Sequence, residues 1–124
     1  MANDELKQES VKVLSVKVLF VCSMNQWRSP TAEKIYADAP LIDSRSAGTN
    51  KGARQAVNSG NLKWADVVMV MEQKHKQRLL AQYPAEMRYK RLYVLDIPDN
   101  YRFMDPELID ELRASVDPIL AQLD

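Results

Sequence analysis

Apolar residues in this chain fall into short runs that alternate with stripes at helical spacing. Val16-Lys17-Val18-Leu19-Phe20-Val21 is short, β-branched and apolar, the pattern of a buried strand. Val11-Lys12-Val13-Leu14 echoes it five residues earlier. Five is odd, so the two copies would turn their valines to opposite faces; the second is taken as strand one and the first as its lead-in. Pro30-Thr31-Ala32-Glu33 predicts the first turn of a helix, with Ala32, Ile35, Tyr36 and Ala39 recurring on one side until Pro40 stops it. Ile42 to Ala47, closed by Gly48, predicts a second strand, and Ala53 to Ser59, ended by Gly60, a short helix.

Asp66 leads into Val67-Val68-Met69-Val70-Met71, the clearest later strand. Glu72 then opens a helix whose buried side is assigned to Leu79, Leu80 and Tyr83, with Pro84 beyond its end. Leu92-Tyr93-Val94-Leu95 predicts a fourth strand. Asp105-Pro106-Glu107 supplies an N-cap, a proline at the first helical position and an acid in the first turn. Leu108, Ile109, Leu112, Val116, Ile119, Leu120 and Leu123 trace one face of the helix that follows, with Pro118 expected to kink its last turn. The order β-α-β-α-β-α-β-α predicts a three-layer α/β/α domain with a four-stranded parallel sheet. Ligands bind at the carboxyl ends of such strands, which directs attention to the residues just after Val21, Ala47, Met71 and Leu95.

Composition narrows the class. The chain has 124 residues, with 17 basic and 17 acidic side chains and one cysteine. That length fits a single domain over residues 11–124 behind a polar tail at 1–10. Zero formal charge argues against a nucleic-acid binder, and no apolar run has the length of a membrane span. A lone cysteine forms no intrachain disulfide, and residues 1–10 lack an apolar signal-like run; together these predict a reducing, cytoplasmic setting. A monomer or weak homodimer is expected.

The cysteine occupies the first of the strand ends: Cys22-Ser23-Met24-Asn25-Gln26-Trp27-Arg28-Ser29-Pro30. A loop leaving a strand and entering a helix can curl its backbone N–H groups around one anion. Those amides and the helix dipole also favour a thiolate over a thiol. Arg28 can fork two hydrogen bonds onto one anion, Asn25 tolerates a left-handed backbone, and Ser29 can bring a hydroxyl to the sulfur.

Val21 to Glu33 resembles the phosphate-binding loop of the low-molecular-weight protein tyrosine phosphatases, in which Cys-x-x-Asn-x-x-Arg-Ser-Pro follows the first strand. The resemblance covers most of the chain after residue 15. Ser46-Ala47-Gly48-Thr49 is similar to the family's Ser-Ala-Gly-Thr, Ala53-Arg54-Gln55 to its helix entering strand three, and Trp64 to Glu72 to its Ala-Asp strand ending in Met-Asp. It implies hydrolysis of a phosphoprotein or aryl phosphate through a phosphocysteine, without metal or cofactor. Cys22 would attack phosphorus. Arg28 and the loop from Ser23 through Met24, Asn25 and Gln26 to Trp27 would hold the equatorial oxygens, and Ser29 would stabilise the thiolate. Phosphate, sulfate or vanadate would occupy the same place. The family's acid lies in Asp-Pro-Tyr after strand four. Within Asp96-Ile97-Pro98-Asp99-Asn100-Tyr101 its closest counterpart is Asp99, with Asp96 as rival.

The chain departs from the family at Met24, where a glycine is usual, and at Trp27, where a second cysteine is common. The segment from Thr49 to Ala53 is shorter and lacks the aromatic wall of the phosphotyrosine cleft, leaving Trp27 or Tyr101 to supply it. Three other readings stay open: a non-catalytic phosphate-binding module, an arsenate reductase using an external thiol, and a phosphoserine phosphatase like that of the RNA polymerase tail. His75, between Lys74 and Lys76, is placed on a solvated helix face without a role, and Arg88, Lys90 and Arg91 on a solvated edge.

Overall fold

The computed structural model describes residues 15–123, so the lead-in at residues 11–14 and the tail at 1–10 lie outside it. Four strands, β1 (Val16–Cys22), β2 (Ile42–Gly48), β3 (Val67–Val70) and β4 (Arg91–Val94), pair in parallel in the order β2-β1-β3-β4. Parallel neighbours need crossovers, and each carries a helix. Helix α1 (Arg28–Ile35) joins β1 to β2, and α2 (Ser59–Trp64) joins β2 to β3. Helices α3 (Gln73–Gln82) and α4 (Pro84–Met87) join β3 to β4, and α5 (Pro106–Gln122) follows β4.

The period-two geometry of a strand divides the core in two. Val18, Phe20 and Cys22 of β1 and Val67 and Met69 of β3 face Ala32 of α1 and Leu108, Leu112 and Val116 of α5. Leu19, Val21, Val68 and Val70 face the opposite way, against Leu62 of α2, Leu79 of α3 and Met87 of α4. Covered on both sides, β1 and β3 carry apolar residues in sequence rather than in alternation. This is the expected three-layer α/β/α arrangement. Among the described residues no helix is long and apolar enough to cross a membrane.

Several expectations need correction. Residues 53–58 are turns and a single bridge from Ala56 to Gly48, not a helix. The helix begins where it was expected to end, because Asn58 and Asn61 each accept the other's backbone N–H, at 2.8 and 3.0 Å. Gly60 therefore sits inside α2. Helix α1 starts at Arg28, two residues before Pro30, and its last turn ends at Ile35 rather than Ala39. Pro84 opens the extra helix α4 at the first position its fixed φ favours. In α3 the buried residues are His75 and Leu79, four apart, while Leu80, one step around the helix, is exposed. Helix α5 runs through Pro118 to Gln122, capped as expected by Asp105, whose carboxylate accepts from Glu107 N–H at 2.9 Å.

The strand order reverses about β1, whose neighbours β2 and β3 leave in opposite directions. The loop after Cys22 therefore stands at the switch point where open parallel sheets bind ligands.

Candidate active site

The loop is held from outside through its carbonyl groups. Thr49 and Asn50 donate their N–H groups to Cys22 O and Ser23 O at 2.9 and 3.0 Å, and Arg54 N–H donates to Met24 O at 3.0 Å. Arg54 Nε donates to Asn25 O at 3.0 Å. The shortened segment after β2 thus latches the cysteine loop. Asn25 adopts the left-handed backbone at φ 54°, and its buried Nδ2 donates to Ser29 Oγ at 2.9 Å and Ser46 Oγ at 2.8 Å. With the carbonyls engaged, the backbone N–H groups from Ser23 to Trp27 donate no hydrogen bond to another described residue. A run of unpartnered amides entering α1 is an arrangement that can take one anion.

Cys22 Sγ lies 2.9 Å from Ser29 Oγ. That hydroxyl accepts from Asn25 and has one proton to give, either to Ala47 O at 3.3 Å or, over the shorter distance, to the sulfur. Arg28 is 1% exposed. Its Nη1 donates to the Glu72 carboxylate and, at 2.9 Å, to Ile97 O, and its Nε is 3.6 Å from Asp99 Oδ1. Its Nη2 has no hydrogen-bond partner among the described residues.

Cys22, Ser23, Met24, Gln26, Trp27 and Arg28 from the loop and Asp99 from the segment after β4 line one cavity of about 100 Å³. That is far below the roughly 300–1,000 Å³ of a pocket for a drug-sized ligand, and suits one small anion. Asn25 and Ser29 stand behind the loop and support it. Asp96, at φ 57°, is exposed and does not line the cavity. Tyr101 is half-buried against the core that includes Phe20 and does not line it either.

Two residues of the site were missed in the sequence. Glu72, at the end of the β3 run, holds Arg28; burial tends to raise its carboxyl pKa, but the hydrogen bond and charge of Arg28, with Lys74 and His75, bring it below the usual carboxylate range. Its position after Met71, at a strand's carboxyl end, was the available signal. His75 is not on a solvated face; it is 1% exposed. Its spacing of four before Leu79 was the clue to its burial. Burial chiefly, then the Arg28 charge, push its pKa down to about 4.

No protein-family model matches the chain, and no curated protein matches it in sequence. Solved structures do. The tyrosine phosphatase Wzb from Escherichia coli K30, in complex with phosphate, superposes with a TM-score of 0.72 at 20% identity, over 90% of this chain and 100% of that one. A low-molecular-weight phosphotyrosine phosphatase from Vibrio cholerae O395 superposes with a TM-score of 0.66 at 24% identity, over 87% and 98%. The YwlE arginine phosphatase from Geobacillus stearothermophilus does so with a TM-score of 0.60 at 18% identity, over 88% and 98%. The four-stranded parallel sheet and its flanking helices are the fold of the low-molecular-weight phosphotyrosine phosphatases.

Proposed function

We propose that this chain is a phosphate monoester hydrolase, a protein tyrosine phosphatase acting through a phosphocysteine on Cys22. The observation that carries the reading is one small cavity holding a thiol, a run of unpartnered backbone N–H groups and the unpaired Nη2 of a buried arginine. In the first step the Cys22 thiolate attacks phosphorus and the bond from phosphorus to the leaving oxygen breaks. The loop amides and Arg28 bind the three equatorial oxygens, whose charge grows in the transition state. Asp99, the aspartate lining the cavity, gives its proton to the leaving oxygen. In the second step the same carboxylate takes a proton from water as that water attacks phosphorus. The S–P bond breaks, and inorganic phosphate and the thiolate are released. Ser29 stabilises that thiolate in both steps through its 2.9 Å contact. Trp27, at the cavity wall, supplies an aromatic face for a phosphotyrosine ring.

Hydrolysis of para-nitrophenyl phosphate and of a phosphotyrosine peptide tests the reading. Cys22→Ser abolishes turnover of both, and Arg28→Ala removes anion binding with it. Asp99→Asn lowers kcat by about 10²- to 10⁴-fold on phosphotyrosine, and by less on the nitrophenyl ester, whose leaving group needs protonation least. Asp96→Asn stays within a few-fold of wild type. Turnover surviving in Cys22→Ser, or a larger loss at Asp96 than at Asp99, would refute the assignment. Anion binding without turnover in the wild type would make the chain a phosphate-binding module instead.

A further inference from the structure

His75 takes no part in the steps above, yet it is buried and both its ring nitrogens are bonded. Nδ1 lies 3.0 Å from the backbone N–H of Glu72. A backbone N–H only donates, so Nδ1 accepts and the ring proton resides on Nε2. Nε2 lies 2.9 Å from Ser23 Oγ and donates to it. A hydroxyl that accepts from His75 keeps its own proton to give, and no described residue takes it. Ser23 is the residue after the cysteine and lines the same cavity.

Resting on the reading of this cavity as a phosphoryl site, we infer that the Ser23 hydroxyl is a catalytic hydrogen-bond donor to a phosphoryl oxygen, aimed by His75 as its positioning residue. Burial and the neighbouring Arg28 charge keep the imidazole neutral at physiological pH, so this tautomer persists there. One element sets both side-chain donors of the site. The carboxylate of Glu72, at the N-terminus of α3, holds Arg28, while its backbone N–H fixes the tautomer that turns Ser23. The proton on Ser23 is thereby directed before substrate arrives, which spares reorganisation as charge builds on the oxygens.

The test uses two readouts, kcat on para-nitrophenyl phosphate and calorimetric binding of vanadate, on variants whose folding is checked by circular dichroism. Ser23→Ala is expected to lower kcat and weaken vanadate binding by about tenfold to hundredfold, the worth of one hydrogen bond to a charged acceptor. Asparagine places its amide near the position of Nδ1 and loses the donor to Ser23, whereas glutamine reaches the position of Nε2. His75→Asn should therefore lose what Ser23→Ala loses, and the double variant no more than either, because one interaction is removed twice. His75→Gln should recover to within about threefold of wild type. Ser23→Ala or His75→Asn within about twofold of wild type on both readouts would overturn the inference, as would losses that multiply in the double variant. If the wild type binds vanadate without turning over the ester, the phosphatase reading falls. The same pattern in the binding series then supports the Ser23 assignment, and a flat binding series overturns it.

Discussion

Acid should weaken this fold through its single histidine, and His75→Gln should remove most of that sensitivity. In the folded chain the His75 pKa is pushed from 6.5 to about 4, chiefly by burial. The charges of Arg28 and Lys74 act in the same direction, and those of Glu72 and Asp99 oppose it. An unfolded chain takes up the proton near 6.5 and the folded chain only near 4. Between those values the unfolded state binds more protons, so stability falls as pH is lowered. The contribution is whole above about pH 7 and lost as pH falls through the folded value. At about 1.4 kcal/mol per tenfold change in proton affinity, the full loss is about 3 kcal/mol, with about 2 kcal/mol gone by pH 5. That is a large part of the roughly 5–15 kcal/mol that holds a typical domain together. Glu72, also lowered, loses most of its own contribution below its ordinary 4.5, so the histidine dominates the range from pH 7.5 to 5. Urea unfolding followed by circular dichroism at pH 7.5, 6 and 5 provides the assay. The wild-type midpoint should fall by about 1 M across that range, given a slope of about 1–3 kcal/mol per molar urea, and the variant midpoint by much less. Because the chain has only one histidine, no other imidazole can mimic the effect. Equal falls in both proteins, or a flat wild type, would refute the reasoning.

Two other substitutions probe the scaffold. Glu72→Gln removes the nearer of the two counter-charges of the buried Arg28; with the Glu72 side chain 32% exposed, Asp99 still 3.6 Å away and Ile97 O still accepting, the expected destabilisation is about 2 kcal/mol rather than the 3–5 of a fully buried pair. Thermal melts should show this loss and a larger stabilisation by phosphate than in the wild type, and a melt unchanged by the substitution would contradict it. A Cβ at Gly48 would stand 2.5 Å from Ser23 O, 2.6 Å from Ala53 Cβ and 3.0 Å from Asn25 N. Gly48→Ala should therefore destabilise by about 1–3 kcal/mol and weaken vanadate binding by at least about tenfold, because the backbone that must yield belongs to the cysteine loop; calorimetry showing wild-type affinity would refute this.

Much of the architecture was legible because burial writes itself into short-range patterns. The unbroken run at Val67 to Met71 read as a strand and forms β3, buried on both faces, and Asp105-Pro106-Glu107 announced the last helix through its own capping chemistry. The helix after β2 was misplaced because two asparagine side chains, not an apolar stripe, decide where it starts. His75 was misread because its lysine neighbours describe the solvent side of α3 and say nothing of the ring's own direction. That direction depends on the phase of the helix, and the phase depends on where Gln73 begins it.

The sequence by itself determined the α/β/α order and one cluster of chemistry, because Cys22, Asn25, Arg28 and Ser29 lie within a single loop and helix start. Tertiary structure alone decided what surrounds that cluster. Glu72 reaches Arg28 across 44 positions of the chain, His75 reaches Ser23 across 52, and Ile97 reaches Arg28 across 69. Asp99 enters the cavity and Asp96 does not, although both follow the same strand. These meetings depend on the parallel order β2-β1-β3-β4, which sets the carboxyl ends of β3 and, next to it, β4 along the same sheet edge as that of β1. Local patterns record which residues are buried, whereas the pairing of strand ends is fixed only once the sheet has formed.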